Sequence, residues 1–193
     1  MKKPISAILK SKKTVFTFKD ISLLWGMTDR KSAVAGINYY VSTGDLYRIR
    51  RGIYAKDKDY DKVELASRIY TPAYVSFETV LARAGMIFQY YSQIFVASYL
   101  TRELIIDGQT YVYRKIKDTV LTDAAGVLNQ DGTAIATKER ALLDTIYINT
   151  DYHFDNLGAL DWDKVFEILP LYRNKRMTQK VRVLYDDFKA KNL

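Results

Sequence analysis

The positive charge of this chain sits at one end. Residues 1–58 carry nine Lys and four Arg against four Asp, a net of +9, while residues 59–193 carry 17 basic and 18 acidic residues, a net of −1. This partition predicts a basic N-terminal module, residues 1–58, on a nearly neutral body, residues 59–193. A polyanion is the partner that such a module suits. The plainer alternative is a solvated lysine-rich stretch, to which Lys2, Lys3, Lys10, Lys12 and Lys13 would belong.

Several chemistries are excluded by residue type. The chain has no Cys and one His, His153. Disulfide frameworks, Cys-ligated zinc, iron–sulfur clusters and thiol nucleophiles are ruled out, as is any site needing two imidazoles. No run approaches 18 apolar residues, and the start, Met1 to Lys10, has too short an apolar stretch for a signal peptide. The expectation is a soluble cytoplasmic protein with no membrane partner.

Along the first module the patterns predict a helix at 5–11, a strand at 14–18 and a helix at 21–25 capped by Asp20 and ended by Gly26. A second helix, capped by Thr28 or Asp29, runs to about Ser42, with Val34, Ile37 and Val41 as its buried stripe. Its outward side then holds Thr28, Ser32, Ala35, Gly36, Tyr39 and Thr43, flanked by Arg30 and Lys31. Two extended runs, 46–49 and 53–55, flank Arg50-Arg51-Gly52 and predict a tight hairpin with arginines at its tip. Helix, turn, helix and basic hairpin together predict a winged helix-turn-helix. Small outward residues let such a helix approach base edges, and Arg48, Arg50 and Arg51 suit phosphates or the minor groove. The alternative is a three-helix core with a decorative hairpin.

The body predicts an α+β fold: two helices, a small antiparallel sheet, then three helices. Helices are expected at 62–70 and 77–84, the latter capped by Ser76, and strands at 92–99, 103–106 and 109–116. Further strands at 126–129 and 133–136 follow, with Asp107-Gly108 and Asp131-Gly132 as hairpin turns. Three more helices, 138–148 capped by Thr137, 162–169 capped by Asp161, and 176–189, complete the chain. Charged residues of the body read as structural. Arg140 and Asp144 are spaced as an i,i+4 surface ion pair, and Glu139 favours the helix N-terminus. Tyr111 and Tyr113 share one strand face near Arg114, Lys115 and Lys117. They predict either a sheet face packed on helices or a stacking platform for single strands. No carboxylate pair converges and no phosphate-cradling glycine motif is present, so no enzyme, cofactor or metal site is expected.

Three blocks occur in order: Gly44-Asp45-Leu46-Tyr47-Arg48-Ile49-Arg50-Arg51-Gly52-Ile53-Tyr54-Ala55, then Pro72 to Leu81 ending at Gly85-Met86, then Ile135-Ala136-Thr137-Lys138-Glu139-Arg140-Ala141-Leu142-Leu143-Asp144. Over roughly residues 15–150 the chain resembles the AbiE-type antitoxins of type IV toxin–antitoxin and phage abortive-infection systems. The family often has proline at the position of Lys138. The resemblance implies a winged-helix repressor of its own operon, joined to an antitoxin domain. It also implies a functional partner, a nucleotidyltransferase-type toxin countered without a stable complex. The DNA-facing candidates are Thr28, Arg30, Lys31, Ser32, Tyr39, Arg48, Arg50 and Arg51, with duplex operator DNA as the partner. Lys138 and Arg140 are candidates for an exposed antitoxin surface. The competing readings are a stand-alone winged-helix regulator whose body senses a ligand or dimerises, and an enzyme delivered to DNA.

Overall fold

The computed structural model describes residues 4–191 and is mixed α+β. Lys2 and Lys3, counted in the basic excess, lie outside the described residues. The first part contains α1 (Ile5–Lys10), β1 (Val15–Thr17), α2 (Phe18–Leu24), α3 (Arg30–Ser42), β2 (Tyr47–Arg50) and β3 (Ile53–Ala55). Its three strands form a small antiparallel sheet in the order β1-β3-β2. The start of α2 corrects the expected cap. Thr17, not Asp20, is the N-cap, and Asp20 answers from the third helical position. Asp20 Oδ2 accepts from the Thr17 backbone N–H at 2.8 Å, closing a capping box.

The second part contains α4 (Lys62–Ile69), β4 (Ala73–Val75), α5 (Phe77–Arg83), β5 (Ile94–Ser98), β6 (Arg102–Ile106), β7 (Gln109–Lys115), α6 (Asp118–Leu121), β8 (Val127–Gln130) and β9 (Thr133–Ala136). It ends with α7 (Lys138–Ile148), α8 (Trp162–Ile168), a 3₁₀ turn (Leu169–Tyr172) and α9 (Lys175–Lys191). Its sheet is larger than expected and mixed: six strands in the order β6-β7-β5-β4-β9-β8. β5 runs parallel to β7, and β4 parallel to β9, with Val75 opposite Ile135. The strand β4, which the sequence patterns do not announce, joins the two hairpin regions into one sheet. Both hairpins turn on Asp-Gly pairs with positive φ at each residue, 47° and 75° at Asp107-Gly108 and 50° and 86° at Asp131-Gly132. That backbone twist matches the right-handed twist of paired strands.

Period-2 alternation places the small sheet between two cores. Phe16 and Tyr54 point one way and pack with Ile5, Ile8, Ile21, Ile37 and Leu46. Val15, Ile53 and Ala55 point the other way and belong to the main core of the body. Polar contacts reinforce this join. Glu64, 4% exposed, accepts from the backbone N–H and hydroxyl of Thr14, both at 2.8 Å. Arg68 reaches Asp20 at 3.0 Å. Asp107, at a hairpin tip of the body, accepts from the Tyr60 hydroxyl at 2.7 Å and the Tyr47 hydroxyl at 3.2 Å. The chain crosses between the parts near residues 56–60, and the hydrophobic packing crosses with it. Among the described residues no helix is long and apolar enough to cross a membrane.

Candidate nucleic-acid interface

Helix α3 begins at Asp29, whose carboxylate accepts from the backbone N–H groups of Lys31 and Ser32. The Ser32 hydroxyl also donates to it, at 2.6 Å. These hydrogen bonds, led by the one from the Ser32 hydroxyl, hold the Asp29 carboxyl below its ordinary pKa. The cap therefore stays charged and offsets the positive end of the helix. Ser32 lies on the exposed surface, but its hydroxyl is engaged in this cap.

The buried face of α3 is rotated from the one its larger apolar residues suggest. Ala33 and Ile37 are buried, while Val34 is 40% exposed. Small residues let the helix approach its support closely. A Cβ built at Gly36 would lie 3.2 Å from Cζ3 of Trp25, so Gly36 faces inward rather than outward. The exposed positions consequently centre on Lys31, Ala35, Asn38 and Ser42, with Ser32 and Tyr39 at one margin. Tyr39 is 61% exposed and meets Tyr40 edge-on. Thr28 is exposed just before the cap, and Arg30 is exposed with its guanidinium over the Phe18 ring.

The β2–β3 hairpin lies beside this helix. Gly52 takes φ 80° at its turn, and the pairing shifts register between Arg48 and Arg50. Arg50 and Arg51 are exposed at the tip. Arg48, although exposed, is directed back to α3: its Nη2 donates to Asn38 Oδ1 at 2.5 Å, and its guanidinium lies over the Tyr54 ring. Thus Arg30, Lys31, Arg48, Arg50 and Arg51 are all exposed, and the Arg48–Asn38 hydrogen bond ties the hairpin to α3, whereas Arg50, paired with Ile53, lies on the opposite face of the small sheet. Asn38 does not stand out in the sequence, because a buried stripe of Val34, Ile37 and Val41 places it off the outer face.

The second candidate pair separates. Lys138 keeps a partly exposed side chain, at 40%. Arg140 is fully buried, contrary to its expected place on an antitoxin surface. Its Nη1 donates to the carbonyl of Ala125 and its Nη2 to that of Val120, both at 2.6 Å. Its Nε faces Asp144 Oδ1 at 3.3 Å, and Nη2 also donates to the Tyr74 hydroxyl at 2.9 Å. Asp144, likewise buried, accepts from Ser76 Oγ and the Tyr172 hydroxyl at 2.7 Å each, and from the Tyr74 hydroxyl at 3.0 Å. Burial raises the pKa of the Asp144 carboxyl, against the pull of Arg140 and the three hydroxyls. Ser76 is accordingly no side-chain cap of α5; its hydroxyl belongs to this centre. The cluster ties β4, α6 with the turn that follows it, α7 and the 3₁₀ turn together. A signal for its burial was present in α7: Ala141-Leu142-Leu143 makes the helix apolar nearly all round.

The remaining candidates settle into structure. Tyr111 and Tyr113 are buried, so the packed sheet face holds and the stacking platform does not. Arg114 pairs with Glu78 at 2.8 Å. Glu139 accepts from the Asp161 backbone N–H at 3.3 Å, which links α7 to the start of α8. His153 is highly exposed and 3.9 Å from Asp155. Among the described residues no three potential ligand side chains gather as a metal site. No family model matches the chain, and no curated protein matches it.

Proposed function

We propose that this protein is a cytoplasmic transcriptional repressor that binds duplex operator DNA through residues 1–58. The same chain then acts as the antitoxin against a nucleotidyltransferase-type toxin, without a stable complex. The observation that carries the DNA half is the set of exposed cations on α3 and the β2–β3 hairpin, in the part of the chain that holds its positive excess. In this reading the part is a winged helix-turn-helix. Ala35 permits close approach to a groove, Lys31 and Asn38 lie at the contact, and Arg50 and Arg51 neutralise phosphates. The antitoxin half is supported by the resemblance of the three sequence blocks to AbiE-type antitoxins. The third of these blocks supplies the Arg140–Asp144 centre, so that block supports the body's fold rather than a contact surface. The reading assigns no catalysis and no cofactor.

One observation favours a second reading, a regulator whose body senses a ligand. A cleft of about 590 Å³ lies between the parts, lined by Thr17 and Asp20 from one and Arg68, Tyr74 and Asp123 from the other. That volume suits a small molecule.

The test uses the full chain. A reporter is placed behind the DNA upstream of its coding sequence, and growth is followed during co-expression with a neighbouring nucleotidyltransferase-like toxin. R51A is expected to lose repression and keep the growth rescue. Absence of repression by the wild type defeats the repressor reading. Absence of rescue favours the stand-alone regulator.

A further inference from the structure

Two exposed residues, one on α3 and one on β2, meet in a way that restricts what they can recognise. A guanidinium only donates hydrogen bonds, so the Asn38 atom facing Arg48 Nη2 at 2.5 Å is the amide oxygen. The Arg48 guanidinium also lies with its Cζ 5.8 Å from the centre of the Tyr54 ring. Tyr54 is itself only 7% exposed and packs in the smaller core, so the ring is a fixed base for the guanidinium. One lone pair of the Asn38 oxygen is thus taken, and what the pair offers outward is mainly donors: the Asn38 amide N–H groups and the free N–H groups of Arg48.

We propose that Asn38 and Arg48 form one base-reading unit selective for guanine in the major groove. This rests on the duplex-DNA reading above. Guanine presents two acceptors there, N7 and O6, which match a donor-rich array. Adenine presents one acceptor and one donor, and Asn reads it by accepting and donating together. With its oxygen turned to Arg48, Asn38 is held away from that paired contact, so the pair disfavours adenine. Arg48 is in this account a reader of bases, unlike Arg50 and Arg51 at the hairpin tip.

The experiment is selection of bound duplexes from a randomised library by the full-length wild type, R48A, R48K and N38A, followed by salt titration on selected and unselected DNA. All the substituted side chains are exposed, and thermal melting checks that each variant folds as the wild type does. The wild type is expected to select guanine at a defined position by about tenfold or more. R48A frees the Asn38 oxygen and is expected to move the preference at that position from guanine to adenine. R48K keeps the charge and the salt slope but loses the fork, so guanine selection falls. N38A weakens guanine selection by untethering Arg48. If R48A weakens every duplex equally and leaves base preferences intact, Arg48 is a phosphate contact and the proposal fails while duplex binding stands. If the wild type binds no duplex, the reading beneath it fails as well.

Discussion

Arg140 and Arg51 carry the same guanidinium and are used in opposite ways. Arg140 is fully buried, and two carbonyls, a hydroxyl and a carboxylate meet its donors. Arg51 stands exposed at a hairpin tip. A cation whose donors are met from inside holds the fold together. One left exposed is available to what comes from outside. The lesson extends to the two parts of the chain. The first part exposes an excess of positive charge, whereas the body pairs its central charges internally at Arg140–Asp144 and Arg114–Glu78.

The largest effect tests this contrast directly. Replacing Arg140 with Ala leaves Asp144 buried without its counter-charge, and the expected loss is about 3–5 kcal/mol. R51A is expected to change stability by less than about 0.5 kcal/mol. Urea unfolding of both variants measures the difference, and similar small losses would erase the distinction. Next in size, Leu142 is fully buried beside this centre. Leu142→Ala is expected to cost about 2–5 kcal/mol. Because Val15, Ile53 and Ala55 belong to the same core as Leu142, the first part should melt with the body. Separate transitions reported by tryptophans Trp25 and Trp162 would show instead that the parts unfold independently.

How much of this was legible in the sequence depended on the range of the interaction. Local chemistry was readable: the Asp-Gly turns fall where expected, and α7 starts after its Thr137 cap and ends at Ile148, as its pattern indicates. Non-local partners were not. Strand β4 is three residues long, and its place is set by β5 and β9 on either side. Arg140 reads as a surface residue from its i,i+4 spacing, because the carbonyls that receive it lie 15 and 20 residues away. Apolar size is a misleading guide to the outward side of α3. Ala33 is buried and Gly36 faces Trp25 by virtue of being small, which leaves Val34 exposed and puts Asn38 at the centre of the outer face. Among the DNA-facing candidates this changes the weights, since Ser32 is engaged by its cap and Asn38 joins the set.

A smaller effect concerns pH at the join between the parts. Burial alone would raise the Asp20 pKa, but the Thr17 backbone and hydroxyl, then Arg68 and Lys13, hold it below the ordinary carboxylate value. A depressed carboxyl contributes stability above its unfolded pKa and loses it as pH falls through the folded one. The wild type is therefore expected to lose stability below about pH 4 more steeply than D20N does. Urea midpoints between neutral and acidic pH compare them, and parallel curves would remove Asp20 from the account.

The exposed cations of α3 and the β2–β3 hairpin are proposed to provide duplex affinity. The measurement is the salt dependence of binding by the full chain and by a K31A/R50A/R51A variant, on one duplex. If about six cations meet phosphates, the wild-type slope of log K against log salt should lie near −5, with each lost contact making it shallower by about one. The variant is then predicted to melt like the wild type, bind more weakly and show a slope nearer to about −2. An unchanged affinity and slope in this folded variant would contradict the claim and place the polyanion contact elsewhere on the molecule.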